Sequence, residues 1–154
     1  PVIRVFAGNP AKTMDPTIAV RNIIENLKTA CSYAATKGVI LAMENHDFTT
    51  DIDRFLHIVS SVDSPWFGAN LDSGNLAMTS DPYADLARIA PHAVNVQIKV
   101  VIPVNGIKEP VDLKKLIDIL KNANYRGYVV LEYEENDDPI VEVTRYLHEL
   151  NQLI

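Results

Sequence analysis

The sequence has 154 residues, enough for one domain with a real core and too few for two domains of ordinary size. Hydrophobic residues make up 47% of the chain and charged residues 22%, as in a soluble globular protein. The net charge is −6, and no cluster of Lys and Arg forms a patch for nucleic acid. The apolar runs are too short to cross a bilayer, and no stretch has the pattern of a signal peptide. These features predict a cytoplasmic protein whose partners include neither nucleic acid nor a membrane.

The single cysteine, Cys31, excludes an internal disulfide and a zinc site built from several thiolates. It falls within a helical pattern of apolar residues, which predicts a buried thiol. The chain opens on Pro1-Val2-Ile3-Arg4-Val5-Phe6, already inside a strand-like run and without a methionine. We therefore expect residues 1–154 to form one continuous domain that is truncated at its N-terminus.

Strand-like and helix-like segments alternate along the chain. The first helix is the strongest prediction, with Asp15 as N-cap, Pro16 in the first position and Gly38 as C-cap. Strands are predicted at Val2–Ala7, Val39–Glu44, Phe67–Asp72, Ala93–Val100 and Tyr128–Tyr133. Further helices are predicted at Thr50–Ser60, Pro82–Ile89, Val111–Ala123 and Pro139–Leu153, the last with Asp137 or Asp138 as N-cap. The connection Val101–Pro110 is expected to be a lid or an exposed loop.

The predicted strands are continuous apolar runs, as expected when both faces of a sheet are covered. Strands that alternate with helices imply right-handed βαβ crossovers and a parallel sheet. An open doubly wound sheet and a segment of a (β/α)8 barrel both satisfy this pattern. A full barrel needs about 250 residues, so this chain would supply roughly five of its eight units.

Polar side chains follow the predicted strands, at the ends where parallel α/β folds place their working residues. The strand ends carry Glu44 and His46, Asp72, Gln97 and Lys99, and Glu132. Three carboxylates on neighbouring strand ends would repel one another unless positive charge lay between them. Oxygen ligands at one pole of a fold suit Mg²⁺ or Mn²⁺. The pattern therefore predicts a divalent metal site, while the alternative is that each carboxylate caps a helix or pairs with Lys99.

Four motifs, in this order and at these strand ends, resemble the sugar phosphate isomerase/epimerase group. They are Val5-Phe6-Ala7-Gly8, Glu44-Asn45-His46, Asn70-Leu71-Asp72-Ser73-Gly74-Asn75 and Tyr128-Val129-Val130-Leu131-Glu132-Tyr133. The group consists of xylose isomerase-like TIM barrels, related in fold to apurinic endonucleases of the endonuclease IV type. The resemblance covers the whole chain, as barrel strands four to eight with their helices.

The resemblance implies that Glu44, Asp72 and Glu132 bind one divalent metal ion. The family has a histidine as the remaining ligand, whereas this sequence has Gln97 at that position. An amide oxygen binds more weakly than an imidazole and prefers harder ions. We therefore expect Mn²⁺, Mg²⁺ or Co²⁺ as the cofactor before Zn²⁺.

The resemblance also implies a reaction, with a small sugar or sugar phosphate as substrate. Glu44 and Glu132 would act as acid and base next to a carbonyl, while the metal stabilises an enediolate. Lys99 would bind an oxyanion or a substrate phosphate, with a structural ion pair as the alternative. His46 would either bind a sugar hydroxyl or support the site.

Two other functions compete with the isomerase or epimerase interpretation. A phosphodiesterase of the endonuclease IV type needs a zinc cluster rich in histidine, but Asn75 and Gln97 stand where histidines are expected. The other alternative is a partial barrel without catalytic activity. Its unpaired sheet edges would favour association into a homo-oligomer.

Overall fold

The computed structural model describes all residues from 1 to 154. Five parallel strands form one sheet in the order β1-β2-β3-β4-β7. These strands are β1 (Val2–Val5), β2 (Ile40–Glu44), β3 (Phe67–Asp72), β4 (Ala93–Lys99) and β7 (Val129–Glu132). The helices are α1 (Pro16–Ala35), α2 (Ile52–Val62), α3 (Pro82–Ile89), α4 (Leu113–Asn122) and α5 (Pro139–Leu153).

The strand order follows the chain order throughout the parallel sheet. A doubly wound sheet would show a reversal of strand order, and none is present. Right-handed crossovers in an unreversed order place every helix on the same face of the sheet. The chain therefore forms a half-barrel, which confirms the predicted barrel segment and excludes the doubly wound alternative.

The predicted helices are present with slightly shifted ends. Asp15 is the N-cap of α1, because its side chain accepts a hydrogen bond from Thr17 N at 2.7 Å. The predicted C-cap Gly38 is wrong, since α1 ends at Ala35 with Thr36 as its cap. Gly38 instead has a φ of 65° and turns the chain toward β2, a conformation that costs glycine little. At the last helix, Asp138 is the N-cap of α5. Two short 3₁₀ turns, Asp47–Thr49 and Ala90–His92, were not predicted.

The connection expected as a lid or an exposed loop is an antiparallel hairpin. It consists of β5 (Val101–Val104) and β6 (Ile107–Pro110), which pair with each other and with no other strand. Asn105 and Gly106 form its turn, with φ values of 49° and 79°. Asn-Gly between two short runs of β-branched residues is the strongest sequence signal for such a hairpin. The sequence analysis did not assign this hairpin, although its turn signal was present, and a role of the connection as a lid stays a prediction.

The hydrophobic core lies between the sheet and its helices. It contains 23 buried residues, including Cys31, whose predicted burial is confirmed by an exposed fraction of 2%. Helix α4 contributes one side of this core. Its N-cap is Asp112, whose side chain accepts a hydrogen bond from Lys115 N at 2.9 Å. The buried face of α4 consists of Leu113, Leu116, Ile117 and Leu120.

The two edges of the sheet expose apolar side chains. At the β1 edge Ile3 is 53% exposed, and at the β7 edge Val130 is 44% exposed and the neighbouring Tyr128 is 85% exposed. Each of these strands pairs with a single neighbour. None of the helices has both the length and the apolar character needed to cross a membrane.

Candidate active site

Most of the predicted site residues meet at the carboxyl ends of the strands. Glu44 ends β2, Asp72 ends β3 and Glu132 ends β7. The register places Gln97 beside Asp72 and Lys99 beside Glu132 on neighbouring strands. The half-barrel thus brings these five side chains to one pole of the fold.

One amide group joins the first two carboxylates. The Nδ2 group of Asn75 donates to Glu44 Oε1 at 3.1 Å and to Asp72 Oδ2 at 2.9 Å. Glu44 is 2% exposed and Asp72 is fully buried. The other oxygen of Asp72 accepts from the backbone N–H groups of Gly74, at 2.8 Å, and of Asn75, at 3.1 Å. Both carboxylates are therefore held in place by the loop that follows β3.

Asn45 fixes that loop against the end of β2. Its Oδ1 accepts from Asp72 N at 2.8 Å, and its Nδ2 donates to Asp72 O at 2.8 Å and to Asn75 O at 2.6 Å. Asn45 is fully buried. The side chain thus replaces backbone pairing at the point where β2 and β3 separate, and it sets the spacing of Glu44 and Asp72.

The ammonium group of Lys99 lies among the remaining carboxylates. Its Nζ is 2.7 Å from Glu134 Oε2 and 3.7 Å from both Asp72 Oδ2 and Glu132 Oε2. Burial of the ammonium lowers the pKa of Lys99, but the hydrogen bond that it donates to Glu134 and the charges of Asp72 and Glu132 outweigh this effect and raise the pKa. Lys99 is therefore charged at neutral pH and acts as an ion-pair partner of the carboxylates.

Gln97 connects Glu132 to Asn70 and Arg4. Its Nε2 donates to Glu132 Oε2 at 3.1 Å, while its Oε1 accepts from Asn70 Nδ2 and lies 3.4 Å from Arg4 Nη1. The amide oxygen, which is the predicted metal-binding atom, is thus turned toward Asn70 and Arg4 in this structure. Its role as a ligand stays a prediction.

Arg4 and Asn70 are site residues that the sequence interpretation missed. Arg4 Nη1 lies 3.1 Å from Glu44 Oε2, and Asn70 Nδ2 donates to the same oxygen at 2.9 Å. Both interrupt otherwise apolar strands at positions that face the concave side of the sheet. A charged or amide side chain in a buried strand needs a partner, and this requirement was the available signal.

His46 lies at the same pole, next to Glu44, and makes no hydrogen bond to Glu44, Asp72 or Glu132. Its side chain is 40% exposed, and the edge of its ring packs against Phe6 with the centroids 5.1 Å apart. Asp47 Oδ2 lies 3.0 Å from His46 Nδ1. The guanidinium of Arg4 lies 4.8 Å above the same Phe6 ring. His46, Phe6 and Arg4 thus form a partly exposed surface beside Glu44. The role of His46 in substrate binding stays a prediction.

The site carries more negative than positive charge. Four carboxylates (Glu44, Asp72, Glu132 and Glu134) surround two cations (Arg4 and Lys99), which leaves an excess of two negative charges. Burial raises the pKa of Asp72 to about 7, although the charge of Lys99 opposes this shift. Burial likewise raises the pKa of Glu44, against the effect of Arg4. With all four carboxylates ionised, the excess of two negative charges equals the charge of one divalent cation.

A cavity of about 200 Å³ opens beside the carboxylates, between the β5–β6 hairpin and the loop that follows β7. Lys108 of the hairpin reaches across it to Glu135, with Nζ 2.7 Å from Oε1. The residues that line the cavity include Gly74, Asn75, Lys99, Pro103, Lys108, Glu132, Glu134 and Glu135. Glu132 lines this cavity.

Known proteins share this fold. Residues 1–150 match the family described as xylose isomerase-like TIM barrel. The chain belongs to this family.

A curated relative named "Putative L-ribulose-5-phosphate 3-epimerase SgbU", from Haemophilus influenzae, is 27% identical over 77% of this chain and 47% of its own length. The structure of 3-keto-D-glucoside 4-epimerase from E. coli covers 98% of this chain and 63% of its own, with a TM-score of 0.73 and 17% identity. A xylose isomerase-like TIM barrel protein from Mycobacterium smegmatis, solved in complex with magnesium, covers 95% of this chain and 55% of its own, with a TM-score of 0.68 and 20% identity. The chain thus spans about half the length of the curated relative that it matches.

The chemistry of the donor set fits a hard divalent ion. Carboxylate and amide oxygens surround the pole, and the only thiol of the chain is buried in the core. In the present side-chain arrangement, no group of three or more His, Cys, Asp or Glu residues is positioned to hold a metal ion. The Asn75 amide and the Lys99 ammonium lie between the carboxylates instead. A metal ion at this pole would have to replace these contacts, and its binding through Glu44, Asp72 and Glu132 stays a prediction.

Proposed function

We propose that this chain carries the metal-binding side of the active site of a sugar isomerase or epimerase. The reaction moves a proton on a carbon next to a carbonyl group. One observation carries the proposal: two buried carboxylates on adjacent strand ends, Glu44 and Asp72, lie beside Glu132 and Lys99 with an excess of negative charge. Burying a carboxylate is costly unless it is paired or binds a metal ion, and carboxylates with pKa values raised by burial are concentrated at functional sites.

The two glutamates have different surroundings, which suggests different roles. Glu44 has both oxygens engaged, by Asn75 on one side and by Asn70 and Arg4 on the other. Glu132 makes its contacts through Oε2, so Oε1 is free to accept a proton. Its side chain is also 29% exposed toward the cavity. In the proposed reaction Glu132 Oε1 removes the proton from the substrate carbon.

Glu44 would return a proton on the other side of the substrate or to the neighbouring carbon. Burial raises the pKa of Glu44 in the chain without a metal ion, and a carboxyl group with a raised pKa is suited to proton transfer. A divalent ion bound by Glu44, Asp72 and Glu132, with Gln97 as the further predicted ligand, would supply positive charge next to the developing oxyanion. Lys99 would add a second positive charge at the same oxygen.

The names of similar proteins support this type of reaction. A ribulose 3-epimerase and a 3-keto-glucoside 4-epimerase both invert a carbon that is next to a carbonyl carbon. The magnesium complex of the Mycobacterium smegmatis protein supports a divalent metal. These properties belong to the relatives, and we propose them for the protein that contains this chain.

The test is exchange of a substrate proton with solvent. The chain is incubated with Mg²⁺ and a panel of ketoses in D₂O, and deuterium at the carbon next to the carbonyl is measured by mass spectrometry. Incorporation that is lost in Glu132→Gln, and kept in the exposed control Glu149→Gln on α5, would support the proposal. Incorporation that survives in Glu132→Gln would overturn the role of this residue.

Nothing in the geometry favours a phosphodiesterase of the endonuclease IV type. Asn75 offers an amide to the carboxylates at the position where that chemistry requires an imidazole. Gln97 is the second departure. Both side chains lack the nitrogen ligand that zinc prefers.

We also propose that the chain associates with itself through its open sheet edges. Ile3 at the β1 edge and Tyr128 at the β7 edge leave large apolar areas in water, and both edge strands have unpaired backbone groups. Sedimentation velocity over a range of concentrations tests this proposal. A single monomer boundary at high concentration would contradict it.

A further inference from the structure

Every lysine of the cavity beside the active site already has a carboxylate partner. Lys99 Nζ lies 2.7 Å from Glu134 Oε2, and Lys108 Nζ lies 2.7 Å from Glu135 Oε1. Glu132 is a third carboxylate in the same lining, 3.7 Å from Lys99. The cavity therefore has three negative and two positive side chains and no cation left over. If a metal ion bound Glu132, Lys99 would still be paired with Glu134 and Lys108 with Glu135.

Three N–H groups on the β3–β4 side of the cavity are already used. The N–H groups of Gly74 and Asn75, in the loop after β3, both donate to Asp72 Oδ1. The N–H group of Lys99 donates to Ser73 Oγ at 2.9 Å. A phosphate group is held by unpaired N–H groups and by cations, and these three N–H groups are not available to it.

The last loop is also unsuited to a phosphate. Barrels of this architecture frequently bind phosphate with the loops after their last two strands and with a helix N-terminus. Here the chain after β7 contains four acidic residues before α5: Glu134, Glu135, Asp137 and Asp138. The start of α5 is closed by Asp138, whose carboxylate accepts from Ile140 N at 2.9 Å, and by Pro139, which has no N–H group. The negative charge of the loop therefore repels a phosphate where it would otherwise bind.

We propose that the substrate of this site is an unphosphorylated sugar, and that the pairs Lys99–Glu134 and Lys108–Glu135 exclude phosphate esters. The proposal rests on the isomerase or epimerase function proposed above and adds the substrate class to it. Neutral hydroxyl groups both donate and accept hydrogen bonds, so they can bind between carboxylates and ammonium groups that stay paired. A phosphate dianion would have to break an ion pair or lie against Glu132. The substrate proposed here thus lacks the phosphate group of the substrate in the curated relative's name, which specifies a 5-phosphate.

The experiment compares one sugar with its own phosphate ester. Binding of D-ribulose and of D-ribulose 5-phosphate to the chain is measured by ligand-observed NMR titration, with and without Mg²⁺, because the ester itself binds this ion. The double variant Glu134→Gln, Glu135→Gln frees both lysines and keeps the size of the side chains. The matched control is Glu149→Gln, an exposed glutamate on α5.

We expect the wild-type chain to bind the free sugar at least about tenfold more tightly than the ester, because like charges across an interface are strongly unfavourable. In the double variant this ratio should fall or reverse, while the control should keep it. The proposal is overturned if the wild type binds the ester as tightly as the free sugar, if it binds neither, or if the double variant keeps the wild-type ratio. Binding of the free sugar without deuterium exchange would instead refute the proposed function and leave the substrate class standing.

Discussion

The ammonium group of Lys99 lies 3.7 Å from the carboxylate of Asp72, at the pole where the sequence predicted a metal ion. One monovalent cation does not balance the carboxylates that end the neighbouring strands. The half-barrel thus presents an acidic site whose contacts a divalent ion would replace.

The first prediction concerns the pH dependence of stability without metal. Asp72 has an ordinary pKa of 3.8 and a pKa of about 7 in the folded chain, because it is buried. The folded state therefore binds one more proton than the unfolded state between these values, and the free energy of unfolding falls as pH rises through this window. The fall amounts to up to about 1.4 kcal/mol per pH unit. Urea unfolding in EDTA from pH 4 to pH 8 should show this slope, and Asp72→Asn should reduce it. An equal slope in the variant would contradict the burial of an uncompensated carboxylate.

The second prediction concerns Asn45, the side chain that fixes the loop after β3. Asn45→Ala leaves the buried N–H and C=O groups of Asp72 and the carbonyl of Asn75 without this partner. An unsatisfied buried polar group costs about 1–3 kcal/mol, and we expect a loss of stability on the order of 3 kcal/mol in urea unfolding. Asn122→Ala, at the exposed end of α4, is the control and should change stability by less than about 0.5 kcal/mol. Similar losses in the two variants would mean that Asn45 does not stabilise the site.

The third prediction concerns the position where this sequence departs from the family pattern. Gln97→His places an imidazole beside Asp72 and Glu132, and imidazole binds first-row transition metals more strongly than an amide oxygen does. The affinity for Co²⁺ or Mn²⁺ should rise about tenfold, as ligand-level changes commonly do. Isothermal titration of both chains measures this change. An unaltered affinity would show that the side chain at position 97 stays turned toward Arg4 and Asn70.

Much of the fold was readable from the sequence because strand and helix signals alternate without interruption. The caps Asp15 and Asp138 fixed the starts of the first and last helices. The ends of the strands placed Glu44, Asp72 and Glu132 at one pole, because parallel strands carry their carboxyl ends to the same side. The hairpin Val101–Pro110 lies outside this alternation, because its two strands pair only with each other, and only its Asn105-Gly106 turn indicates it in the sequence.

The contacts within the site could not be read in the same way. Which side chain pairs with Lys99 depends on the register between β4 and β7 and on the path of the loop after β7. Arg4 meets Glu44 and Gln97 only because the sheet curves, which brings β1 toward β4 across two intervening strands. Such partners are far apart in sequence, and a periodic pattern contains no information about them.

The central claim is that Glu44 and Asp72 belong to a divalent metal site. Calorimetric titration of the chain with Mn²⁺, run beside a Glu44→Gln, Asp72→Asn double variant, tests it most directly. The chemical basis is that carboxylate oxygens bind Mn²⁺ well and neutral amide oxygens bind it weakly. We predict saturable binding of one ion to the wild-type chain and no measurable binding to the double variant. Equal binding by both proteins, or no binding by either, would contradict a metal site at these two residues.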